Sequence, residues 1–200
     1  MSAGCSHRAA PWASPWRRCL RAVVRLATLD DVLRFARRSG AHLNVEHKNL
    51  PGDPGFDATS RSAEELAARL LRSGIPAHRL TVQSFWPDDM IVLGARLPGV
   101  RRSLLVAADQ AQVGIEIADV VGADAFGLEW PVAPDVIRAG HECGLYVMAY
   151  TINRADDVRA AARAGADAII TDDPATARMA LTSCSRVVKA SRRARAAPLW

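Results

Sequence analysis

Apolar positions in the middle of the chain follow two alternating patterns, helical stripes of three-to-four spacing and short apolar runs bounded by glycine. Leu29, Val32, Leu33 and Ala36 form the first stripe, with Thr28 placed as its N-cap and Gly40 as a left-handed stop. The strand Ala41 to Glu46 follows at once. Ser62-Ala63-Glu64-Glu65 reads as a capping box opening a helix that runs through Leu66, Leu70 and Leu71 to Gly74. Leu80 to Ser84 is the next strand. Beyond it the pattern predicts a helix opened by Pro87-Asp88, a strand Ser103 to Ala107, a helix around Val113 to Val121 and a strand Ala125 to Leu128. A helix Pro134 to Cys143, a strand Leu145 to Ala149, a helix Asp156 to Ala164, a strand Ala168 to Thr171 and a short helix from Pro174 complete it. Gly122-Ala123-Asp124-Ala125 and Gly165-Ala166-Asp167-Ala168 repeat one helix-to-strand join.

Short apolar strands separated by amphipathic helices mean parallel strands joined by crossovers. A doubly wound open sheet is one arrangement of such units, but no GxGxxG follows the first strand. The α/β class expected is a partial (β/α)8 TIM barrel, with about six of the eight βα units. Val45, Val82, Val147 and Ile170 are expected to point into the barrel interior or lie near it. A gap in the ring leaves two unpaired strand edges, which predicts self-association.

Charge changes the picture at the ends. The net charge is +5, yet residues 1–28 carry five arginines and no acid, and 182–200 carry five Arg or Lys and no acid. The segment between is acidic. The expected organisation is therefore a basic, disordered tail at 1–27, a barrel domain at 28–181 and a second basic, disordered tail at 182–200. Basic ends can bind nucleic acid or anionic lipid, but disorder is the reading adopted, and no nucleic-acid partner is expected. No run approaches the roughly 18 apolar residues of a membrane span, and residues 1–28 lack the apolar core of a secretory signal. Cys5, Cys19, Cys143 and Cys184 show no CxxC spacing. A reduced, cytoplasmic setting follows as the expectation.

Candidate chemistry centres on Leu43-Asn44-Val45-Glu46-His47-Lys48-Asn49. Period 2 puts Glu46 and Lys48 on one face and His47 on the other, toward the helices. An anion and a cation in one mouth suit a metal ion beside a phosphate, although a solvated ion pair at a strand end has the same spacing. In a barrel, strand C-termini are the usual place for catalytic groups.

Five segments, in order, resemble the glycerophosphodiester phosphodiesterase family. Thr28-Leu29-Asp30-Asp31-Val32-Leu33 is similar to its T-L-x-E-V-L helix opening, and Val45-Glu46-His47-Lys48 to its E-I-K strand. Val82-Gln83-Ser84-Phe85 is similar to V-x-S-F, and Ala149-Tyr150-Thr151-Ile152-Asn153 to W-T-V-N. Gly165 to Pro174 is similar to the closing G-V-D-G-I-I-T-D-x-P. The resemblance covers about residues 27–181. It implies a (β/α)8 barrel that splits glycerophosphodiesters into sn-glycerol 3-phosphate and an alcohol, with Mg2+ or Ca2+ held by three carboxylates. By that resemblance Glu46 is the third metal ligand, Lys48 steadies the phosphate, and Phe85 and Tyr150 form aromatic walls, Tyr150 replacing a tryptophan.

The departures are large. The family's H-R-G-x(5)-P-E-N, E-x-D and H-D motifs precede the T-L-x-E-V-L helix, and no E-x-D or H-D lies upstream of Glu46 here. Ser6-His7-Arg8-Ala9-Ala10-Pro11 keeps a His-Arg pair without the glycine or P-E-N, and is read as a chance pair in an Arg-rich tail. His42, His47, His78 and His141 are read as surface or packing residues. Glu129 and Asp172 would share the mouth with Glu46, either as a makeshift metal site or as loop and capping residues. The expectation is an N-terminally truncated family member that lacks most of the catalytic residues and has little or no activity as an isolated chain. The alternatives are a non-catalytic fragment that binds phosphate weakly, or an enzyme completed by a partner chain.

Overall fold

In the computed structural model of the chain, which describes residues 26–188, α1 (Leu29–Ser39) leads into β1 (Leu43–His47), and α2 (Arg61–Arg72) into β2 (Leu80–Ser84). They continue as α3 (Pro87–Arg96), β3 (Arg101–Val106), α4 (Ala111–Val120), β4 (Ala125–Glu129), α5 (Pro134–Glu142), β5 (Tyr146–Tyr150), α6 (Ala155–Ala164), β6 (Ala168–Ile169) and α7 (Pro174–Val188). The strand order is β1-β2-β3-β4-β5-β6, all parallel. A doubly wound sheet reverses its order at a switch point. This one never does, and it curls into an open half-barrel, six strands of an eight-stranded plan. β6 does not pair with β1, and among the described residues no further strand pairs with the outer edge of either.

Local chemistry accounts for the element ends. Thr28 Oγ1 accepts the Asp31 N–H while Asp31 accepts the Thr28 N–H, a reciprocal capping box. Gly40 closes the helix at φ 77°, a region that costs other residues roughly 1–2 kcal/mol. The two Gly-Ala-Asp-Ala joins have a shared purpose. Asp124 accepts the Arg102 N–H at 2.9 Å, and Asp167 accepts the Val147 N–H at 2.9 Å. Each aspartate thus satisfies a backbone donor near the start of the strand beside the one it precedes.

Two expectations need correction. Ser62-Ala63-Glu64-Glu65 does not form a capping box: α2 begins at Arg61, its N-cap Ser60 makes no side-chain cap bond, and Asp57 takes the Ser62 N–H at 2.8 Å. A carboxylate five residues upstream reached the free N–H that the local motif was expected to hold. The last helix is also long rather than short, running to Val188. The tails expected at 1–27 and 182–200 lie largely outside the described residues.

A third correction concerns faces. Val82 and Val147 are fully buried in the cluster that joins strands to helices, and Val45 packs against it. A Cβ on Gly140 of α5 would sit 3.0 Å from Val147, so Val147 faces the helix layer. Val45 shares its face with His47, whose ring meets Asp89 of α3. Of the four residues expected inside, only Ile170, next to the helix-facing Ile169, fits by alternation. The inner face instead carries Asn44, Thr81, Gln83, Ser103, Leu105, Gly127 and Met148, with Asn44 donating to Gln83 at 2.7 Å. Both faces of parallel strands are apolar enough that burial alone does not tell them apart.

Candidate functional site

The C-terminal ends of β1, β2, β4 and β5 carry the candidate groups into one mouth. Lys48 donates to Glu46 Oε1 at 2.5 Å, with the Lys48 side chain 71% exposed and that of Glu46 28%. The spacing that put both on one face thus also pairs them. Phe85, just past β2, meets the Tyr150 ring edge-on at 6.0 Å between centroids and 86° between planes. Tyr150 donates its hydroxyl to the Val106 carbonyl at 2.7 Å, tying the end of β5 to the end of β3.

Electrostatics link these residues. Burial, reinforced by the carboxylates of Glu129 and then Glu46, pushes the Tyr150 phenol above its usual value of 10.0. Glu129 is directly opposite Tyr150 in the β4–β5 register. A phenol flanked by two carboxylates resists ionising because a third negative charge would be poorly solvated and repelled. Tyr150 is therefore a neutral donor whose ring packs on Phe85, not a base.

The carboxylates do not assemble into a metal centre. Among the described residues no three His, Cys, Asp or Glu side chains come together to hold an ion. In the makeshift set of Glu46, Glu129 and Asp172 each carboxylate has a local partner: Glu46 has Lys48, Glu129 the Ala108 N–H at 3.2 Å, and Asp172 the Asn153 Nδ2 at 2.8 Å. Mg2+ and Ca2+ need several oxygen ligands. Carboxylates that do not gather in threes among the described residues, with Glu46 already engaged by an ammonium, do not fit that demand.

Beneath the mouth lies a buried polar network. His47 Nδ1 donates to Asp89 Oδ2 at 2.7 Å, and Asn49 Nδ2 donates to both oxygens of Asp89 at 3.2 and 3.1 Å. Asn49 also exchanges bonds with the Asp57 backbone, accepting its N–H at 2.8 Å and donating to its carbonyl at 3.0 Å. The Asp57 side chain then binds Thr59 and Ser62 at the start of α2. These bonds hold the Asp57 carboxyl well below its usual value. Sequence reading placed His47 on the helix side but found neither Asp89 nor Asn49, since the partners are about 40 residues apart. His141 is likewise a packing residue, its Nε2 2.8 Å from Asp167.

A parallel half-barrel of six strands with polar groups at its strand C-termini is a partial (β/α)8 scaffold. The profile of the Glycerophosphoryl diester phosphodiesterase family matches residues 6–176, and the chain belongs to that family. The match starts at Ser6 and so takes in His7-Arg8, the pair read from sequence as accidental.

Solved structures agree on the fold. A glycerophosphodiester phosphodiesterase from Parabacteroides distasonis ATCC 8503 is 20% identical with a TM-score of 0.68, over 80% of this chain and 66% of that one. A protein from Silicibacter pomeroyi DSS-3 assigned as a glycerophosphoryl diester phosphodiesterase is 21% identical with a TM-score of 0.68, over 78% and 56%. An Oleispira antarctica phosphodiesterase in complex with the product sn-glycerol-3-phosphate is 19% identical with a TM-score of 0.62, over 78% and 61%. The chain therefore spans between about half and two thirds of these structures' lengths. No curated protein sequence matches it. No helix among the described residues is long and apolar enough to cross a membrane.

Proposed function

We propose that this chain is the phosphate-holding part of a glycerophosphodiester phosphodiesterase mouth, and that by itself it hydrolyses little or no substrate. Lys48 supplies the cation for the phosphate, and Phe85 and Tyr150 wall the glycerol side. Glu46 is the one metal carboxylate that the resemblance transfers to this sequence. The observation that carries the reading is the contrast at the mouth: a lysine, a carboxylate and two aromatic rings sit together, while among the described residues no three His, Cys, Asp or Glu side chains gather to hold an ion.

Without further ligands a divalent cation is weakly held. Without the family's two histidines, acid–base help worth about 10²–10⁴ in rate is also missing. The edge of β1, unpaired among the described residues, favours one further reading, that strands from another polypeptide complete the ring and bring those groups with them. The substrate would then be a glycerophosphodiester.

The test is hydrolysis of glycerophosphocholine and of bis(p-nitrophenyl) phosphate by the purified chain, with Mg2+ or Ca2+, alone and co-expressed with the first two βα units of a complete family member. No metal-dependent turnover is expected alone, and turnover is expected from the completed barrel. Turnover by the chain alone that responds to the metal and disappears in Glu46→Gln overturns the proposal.

A further inference from the structure

Lys48 is the residue on which the proposed phosphate binding depends, yet its side chain is mostly exposed and its ammonium bonds Glu46. Its position is set from its neighbours. His47 and Asn49 flank it in sequence, and both bond one carboxylate, Asp89, at 2.7 Å and at 3.1–3.2 Å. Asp89 is fully buried in the first turn of α3, and Asn49 is 3% exposed.

We propose that Asp89 is a positioning residue for Lys48: by gripping the residue on each side, it fixes the backbone of 47–49 and so the point from which the ammonium enters the mouth. The inference rests on reading Lys48 as the phosphate contact. Three features support it. Two donors, with the Ser84 hydroxyl at 3.4 Å as a third, converge on one group, and a carboxylate has about four acceptor positions to meet them. The start of a helix favours a negative charge, so α3 lowers the cost of burying Asp89. Asn49 also carries the grip onward through the Asp57 backbone, so the chain leaving Lys48 is held at two points.

The experiment uses the full chain with Asp89→Ala, Asp89→Asn and Lys48→Ala, inorganic phosphate as the probe followed by 31P line broadening, and hydrogen exchange read by mass spectrometry. Asp89→Ala should weaken phosphate binding by about tenfold, the size of one lost charge-assisted hydrogen bond. It should also speed exchange at 47–49 while the amides of β3 to β5 keep their protection. Asp89→Asn retains an acceptor in the same place and should recover most of both. Phosphate binding in Asp89→Ala equal to that of the unmodified chain overturns the proposal. So does faster exchange spread evenly over the sheet with Asp89→Asn no better than Asp89→Ala. Lys48→Ala separates the two ideas: if it binds phosphate normally, the mouth reading fails, and the role of Asp89 is then decided by exchange at 47–49 alone, where no change refutes it.

Discussion

Gly114 of α4 tests how tightly the helix layer sits on the strands. A Cβ there would stand 2.6 Å from Val106 Cγ1 and 2.9 and 3.1 Å from Cε2 and Cζ of Phe126. Both neighbours are stiff: valine has little χ1 freedom, and the Phe126 ring is fully buried. In an exposed helix Gly→Ala would stabilise by about 1 kcal/mol. Overpacking a filled core costs about 1–3 kcal/mol, and contacts below 3 Å against two rigid groups belong at the upper end. The sum for Gly114→Ala is a loss of about 1–2 kcal/mol, which lowers the melting temperature by roughly 3–6 °C in a domain of this size.

Gly140→Ala is the matched control. Its closest approach is 3.0 Å, to one methyl of Val147, so the helix gain and the packing cost nearly cancel. Urea unfolding of the two variants, followed by far-UV circular dichroism, should show a lower midpoint with unchanged slope for Gly114→Ala and little change for Gly140→Ala. A neutral or stabilised Gly114→Ala would mean that α4 is free to move away from β3 and β4. The close contact of helix and sheet described above would then be wrong.

Acid should loosen the start of α2. The folded state holds the Asp57 carboxyl below its usual 3.8, so the unfolded chain binds the proton first and stability present above that value is lost as pH falls through it; in Asp57→Ala this part of the acid dependence should vanish, and an unchanged acid profile would count against the cap. Alkali acts through Tyr150 in the same way with opposite sign: its raised phenol means that the unfolded state ionises first, so stability falls as pH rises above about 10, and Tyr150→Phe should flatten that limb while costing about 1 kcal/mol for the bond to Val106. Sedimentation velocity should find the chain self-associating in a concentration-dependent way, since among the described residues β1 and β6 each have an unpaired edge and α1 exposes Val32 and Phe35; a cooperatively melting monomer at all concentrations would refute this.

What the sequence determined by itself is local. The spacing of Leu29, Val32, Leu33 and Ala36 between Thr28 and Gly40 specifies α1 and both its ends, because caps and stripes act within a turn or two of their own residues. Period 2 likewise fixes Glu46 and Lys48 on one face and His47 on the other. Tertiary structure decided whatever needed a distant partner. Which face of β2 or β5 is the barrel interior depends on where α3 and α5 lie, so Val82 and Val147 could not be placed from runs that are apolar on both sides. The start of α2 is set by Asp57, whose backbone Asn49 holds in place. Asn49 and His47 are in turn held by Asp89, about 40 residues along the chain and brought near only by the β1–β2 pairing and the turn into α3. A hydrogen bond at that separation leaves no periodic trace in the sequence, because its geometry exists only once the strands between its partners have paired.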